Sequence, residues 1–115
     1  MVMPKTPLAR EIFSARLKQA RLALGISQKE LGIRAGLDED VASTRINRYE
    51  RAVHDADLAT AQRLADELGV PLASLFAATE ELAELIALIH RLPKSKQKVL
   101  LATVRQALAE QGSGS

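Results

Sequence analysis

Apolar residues recur at spacings of three and four along most of the chain, the period of helices that bury one face. Ile12, Phe13, Leu17, Ala20 and Leu24 form such a stripe and predict a first helix over Leu8 to Leu24, with Pro7 tolerated at its start and Gly25 just past its end. Ser27 is a good cap for a second helix running to Ala35. Glu30, three residues on, completes a capping box, Leu31 and Ala35 form an apolar pair, and Gly36 suits a left-handed stop. A third helix is predicted from about Val41 to Arg51, with Ile46 and Tyr49 as inward anchors and Ser43, Thr44, Arg45, Asn47 and Arg48 around its other faces. Asp57 then caps a fourth helix carrying Leu58, Ala61, Leu64, Ala65 and Leu68. It stops at Gly69, and Pro71 opens a short fifth helix ending near Phe76.

Beyond Ala78 the pattern narrows. Thr79 caps a helix with Glu80 and Glu81 in its first turn, and Leu82, Leu85, Ile89 and Leu92 make a thin apolar seam. Pro93 ends that helix, Ser95 caps the next, and Leu100, Val104 and Leu108 line one face up to about Gln111. The pattern therefore predicts a domain over 8–78 and a helical hairpin over 79–111, flanked by a loose arm at 1–7 and a flexible tail at 112–115. The hairpin seam is wider than one short helix can hide, so it is read as a dimerisation element formed by Leu82, Leu85, Ile89, Leu92, Leu100, Val104 and Leu108.

Composition agrees with an all-α protein. The 115 residues are 47% hydrophobic but only 3% aromatic, so the core rests on aliphatic side chains. There is no cysteine, which excludes disulfides and thiolate metal sites and suits a reducing cytoplasm. No segment approaches the roughly 20 apolar residues that span a bilayer. The net charge of +2 says little, but its distribution is uneven. Residues 1–36 hold seven Lys/Arg against two Asp/Glu, and residues 37–76 hold four against eight. That arrangement fits DNA binding only if Arg45, Arg48 and Arg51 face the groove while Asp66 and Glu67 point away.

The capped second helix, glycine turn and polar third helix read as a helix-turn-helix. Gly-Ile-Ser-Gln-Lys-Glu-Leu at 25–31, Ala-Gly-Leu at 35–37, Ile-Asn-Arg-Tyr-Glu at 46–50 and Leu-Ala-Asp-Glu-Leu-Gly-Val-Pro-Leu-Ala-Ser-Leu-Phe at 64–76 carry a resemblance to the Cro and phage-repressor class of helix-turn-helix regulators. It covers roughly Phe13 to Phe76 and implies a five-helix repressor-like domain. It also implies a prokaryotic or phage-derived regulator, a repressor rather than an activator, reading double-stranded DNA as a homodimer. Aligned back from Glu50, the resemblance places Ser43, Thr44 and Arg48 at base-facing positions, with Arg45 and Asn47 flanking them.

Arg48 is the first choice for base readout, because a guanidinium can bond O6 and N7 of guanine in parallel, and Asn47 suits adenine in the same way. Gln28 stands where the family uses a glutamine to touch the DNA backbone and brace the recognition helix. Lys18 and Lys29 are phosphate candidates, and Arg16 and Arg34 lie nearby. Arg21 and Glu50 occupy the positions of a structural ion pair in the family. Three departures stand out. Asp38-Glu-Asp-Val-Ala42 adds residues before the recognition helix, its three carboxylates would repel nearby phosphates, and Ala52-Val-His-Asp-Ala56 lacks the usual glycine and basic loop.

An enzyme finds little support. His54 and His90 have no metal-ligand spacing, and no nucleophile motif or phosphate-binding glycine loop is present. No metal, cofactor, small-molecule ligand or membrane is expected. The competing reading is a protein-interaction or antitoxin-like module that keeps the helix-turn-helix as scaffold and binds DNA weakly.

Overall fold

Helix α1, Ala9–Leu24, ends where Gly25 turns left-handed at φ 75° and its N–H returns to the carbonyls of Arg21 and Leu22. This is the glycine stop that spares a side chain the left-handed penalty. The computed structural model describes residues 8–113, all helical or in connecting turns, with no strand among them. After α1 come α2 (Gln28–Arg34), α3 (Glu39–Glu50), α4 (Leu58–Leu68), a 3-10 turn (Leu72–Phe76), α5 (Glu80–His90) and α6 (Lys94–Ser113). Residues 1–7, expected to form a loose arm, lie outside the described residues, as do 114 and 115.

The core gathers Phe13 and Leu17 of α1, Leu31 and Ala35, Ile46 and Tyr49 of α3, Ala61, Leu64, Ala65 and Leu68 of α4, and Leu75 of the 3-10 turn. Every fully buried large side chain comes from this set, and all are aliphatic. At its edge the rings of Phe13 and Phe76 lie 5.4 Å apart at 36°, within the range of favourable tilted pairs. Asp57 caps α4 by accepting from the Thr60 N–H at 2.7 Å, and Thr79 caps α5 through the Leu82 N–H at 3.1 Å.

Several elements differ from expectation. Helix α3 starts at Glu39, two residues before the predicted Val41, because the Asp38 carbonyl already accepts from the Val41 and Ala42 N–H groups at 3.1 and 2.9 Å. Glu39 and Asp40 then sit in its first turn, where the helix dipole favours carboxylates. The capping box is half formed. Ser27 Oγ accepts from the Glu30 N–H at 3.0 Å, while the Glu30 carboxylate takes a 2.6 Å hydrogen bond from Arg34 one turn on. In α1 the predicted stripe is displaced: Leu24 is exposed, and Ser14 and Arg21 are buried instead. The segment after Pro71 is 3-10 rather than α.

The largest correction concerns the hairpin. Helix α5 packs on the 3-10 turn through a face holding the half-buried Ala83, Ile86 and Ala87. Helix α6 does not fold back along it. Every described residue from Leu101 to Gly112 is exposed, and only Gln97 and Leu100 are half-buried. The Cα radius of gyration is 17.1 Å, against roughly 13 Å for a compact domain of this length. Ser95 is not the cap, for α6 begins at Lys94 with the Pro93 carbonyl accepting from the Lys96 and Gln97 N–H groups. The helix also runs through Gly112, where a flexible tail was expected.

Candidate nucleic-acid interface

Helices α2 and α3 approach closely because Gly32 has no side chain. A Cβ at Gly32 would lie 2.7 Å from the Ala42 Cβ and 3.0 Å from its Cα, so only glycine opposite a small residue permits the crossing. Between them Gly36, at φ 91°, makes the turn, and the Leu37 N–H closes it on the Gly32 carbonyl at 2.9 Å. Arg63 of α4 donates to the Ala35 carbonyl at 2.9 Å and so satisfies the end of α2. Neither Gly32 nor Arg63 was singled out in the sequence. Their roles depend on partners ten and twenty-eight residues away.

Helix α3 is braced from below by a largely buried charge cluster. Arg21 donates to Glu50 twice, Nε to Oε2 at 2.6 Å and Nη2 to Oε1 at 2.9 Å, and its Nη1 donates to the Ile26 carbonyl at 2.9 Å. Gln28 Nε2 adds a 3.0 Å hydrogen bond to Glu50 Oε1. The side chains of Arg21 and Glu50 are only 10% and 3% exposed, so this pair is largely removed from water. Hydrogen bonding to Glu50 pushes Arg21 above its ordinary pKa, with burial opposing the shift. One cluster thus ties α1, α2 and the end of α3 together. Ser14 adds a second tie, its hydroxyl donating to the Tyr49 carbonyl and to that of Arg10.

With Ala42, Ile46 and Tyr49 turned inward, the far side of α3 carries Asp40, Val41, Thr44 and Arg48, all exposed, and Arg51 follows as its exposed C-cap. Ser43 is exposed beside them, and Asn47 is half-buried. Arg45 is drawn to the flank: its Nη2 donates to the Tyr49 hydroxyl at 2.9 Å, and its guanidinium lies 6.0 Å from the ring centre. Lys29 reaches Glu39 at 3.3 Å, with both side chains more than half exposed. Thr44 and Arg48 thus share the far side of α3, with Ser43 further round the helix toward Asn47 and Arg45 on the opposite flank, while Gln28 and Lys29 are set against neighbouring carboxylates.

The loop after α3 holds no cation of its own beyond Arg51. Ala52 sits at φ 59° where the family commonly has a glycine, and Asp55 is paired with Arg10 of α1 through two hydrogen bonds. That guanidinium holds the Asp55 carboxyl below its usual range.

A family model described as helix-turn-helix matches residues 17–75, more than half of the chain. The chain belongs to the Cro/C1-type helix-turn-helix family. Among solved structures it is similar to the transcriptional regulator BswR, at 44% identity and TM-score 0.75, over 85% of this chain and 97% of that one. It is also similar to a hypothetical transcription factor, NHTF, from Neisseria, at 26% identity and TM-score 0.60, over 74% and 93% of the two chains. Comparison with curated protein sequences gives no match. No described helix of this family member is long and apolar enough to cross a membrane.

Proposed function

We propose that this helix-turn-helix protein is a sequence-specific DNA-binding transcriptional regulator, a repressor that reads a palindromic operator as a homodimer. The observation that carries this reading is the open face of α3, held in fixed orientation by the buried Arg21–Glu50–Gln28 cluster. In a helix-turn-helix the second helix enters the major groove and the first crosses the backbone. Arg48 supplies a guanine-reading fork, Ser43 and Thr44 supply short donors and acceptors to base edges, and Asn47 borders them. Gln28 and Lys29 lie on the backbone side, where Lys29 exchanges Glu39 for a phosphate. Arg45 acts from the flank, through its charge.

The family membership and the likeness to two transcription factors support DNA as the partner. The exposed apolar faces of α5 and α6 support a second copy as the other. A second reading, a protein-interaction or antitoxin-like scaffold with weak DNA affinity, is favoured by the carboxylates at 38–40 and by the missing basic loop.

Selection from a random duplex pool, followed by a salt titration, separates the two. A regulator enriches a defined motif and binds it with a steep salt dependence, tighter by about 10³-fold or more than random duplex. A scaffold enriches nothing.

A further inference from the structure

Helices α1 and α5 both rest on the 3-10 turn, and a cleft of about 200 Å³ is left between them. Alanines face each other across it, Ala20 and Ala23 on α1 and Ala83 and Ala87 on α5, beside Val70 and Leu75. The charged groups of the cleft are unpaired. Arg16, half-buried on α1, has Nε and Nη1 closed to solvent, and no acceptor among the described residues meets either. Buried donors in folded proteins are nearly always satisfied, and a charged one without an acceptor is costly, so this guanidinium calls for a partner. Glu80 and Glu84 line the same cleft from α5, one turn apart on the stripe that carries Ala83 and Ala87. Neither forms an ion pair or a side-chain hydrogen bond among the described residues.

From this arrangement we propose that the cleft binds a small zwitterion, a neutral amino acid with a short aliphatic side chain. Its carboxylate takes the Arg16 fork, entering at Nη2, the one guanidinium nitrogen that is not closed off. Its ammonium lies against Glu80 and Glu84. The aliphatic part settles on the alanines and Val70, in a volume below the roughly 300–1,000 Å³ of drug-sized sites. Ions with one charge fit less well. A bare anion meets the field of two carboxylates, and a bare cation leaves Arg16 without an acceptor.

The position of the cleft gives its occupant a consequence. Helix α1 is tied to the end of α3 through Arg21 and Glu50, and α5 leads into α6. A bound molecule therefore clamps the late helices to the body that holds α3. Binding here stands apart from the reading of DNA and is measured without it.

Full-length protein is titrated with alanine, valine and leucine by calorimetry and thermal melting, with acetate and ethylammonium as the controls that carry one charge. At least one amino acid binds at one molecule per chain and raises the melting temperature at millimolar concentration, and neither control does. Arg16→Gln, and Glu80→Gln together with Glu84→Gln, each weaken that binding by about 10-fold or more, with far-UV dichroism unchanged. In ligand-free protein the effects of the same two changes on stability add. No response to any of the three amino acids, equal binding of acetate, or binding indifferent to Arg16→Gln overturns the site. Strong coupling between the two changes in ligand-free protein also overturns it, because Arg16 would then already be paired within the chain.

Discussion

Glu50 carries more consequence than any exposed charge in the chain, because it satisfies Arg21 and Gln28 at once in a site nearly closed to water. Removing one member of a buried pair strands the other, at a cost of about 3–5 kcal/mol. Glu50→Ala is therefore expected to lower stability in urea by that amount, whereas Arg21→Met with Glu50→Leu together stays near the parent. A Glu50→Ala loss of under about 1 kcal/mol would show the pair to be solvated. On the exposed face of α3, the proposed reading expects Arg48→Ala to cost about 1–3 kcal/mol on the preferred site and to relax one base position in each half-site. Lys29→Ala weakens all sequences alike and flattens the salt slope by about one unit. Comparing binding of both variants on preferred and scrambled duplexes checks the pair, and an unchanged base preference in Arg48→Ala removes that residue from readout.

Among the elements, helix ends were the most legible in the sequence. Ser27, Asp57, Thr79, Gly25, Gly36 and Gly69 act within a few residues of themselves, so short-range chemistry places them. The start of α3 was less legible because Asp38, Glu39 and Asp40 all suit a helix beginning, and only the Asp38 carbonyl, taking the Val41 and Ala42 N–H groups, decides which serves. The Arg21–Glu50 pairing followed from the family resemblance, while Ser14 and Arg63, whose partners lie far along the chain, left no local signal.

Two element-level outcomes follow. Asp57 is held below the usual carboxylate range, first by the Thr60 N–H it caps, so its native pKa is lower than its unfolded value near ~3.9. Its contribution is complete above that unfolded value and disappears as pH falls through the lower native one. Thermal melts of Asp57→Ala should run below the parent at neutral pH and converge with it in strong acid. A gap that persists in strong acid would show that the ionised cap is not the cause. Replacing Asp38, Glu39 and Asp40 by Asn, Gln and Asn should tighten DNA binding in general and lower specificity, as repulsion of phosphate is relieved. Unchanged affinity with a lower melting temperature would instead make these residues helix-dipole partners alone.

For the whole molecule, periodicity told which face of each late helix is apolar but not what covers it. A seam of leucines reads the same whether the helix folds on its own body or reaches another chain, so a hairpin was expected where the structure has α5 on the body and α6 extended. On the proposed reading the molecule has two working ends, an α3 face for DNA and the late helices for a second copy. A two-fold dimer carrying two such faces sets recognition helices about 34 Å apart, one turn of duplex. The selected DNA motif tests this account most directly. The account predicts an inverted repeat whose half-site centres lie about 10 base pairs, or a whole multiple of the turn, apart, and in which Arg48→Ala relaxes the same position in both halves. Enrichment of an asymmetric single site, or of no site at all, would contradict it.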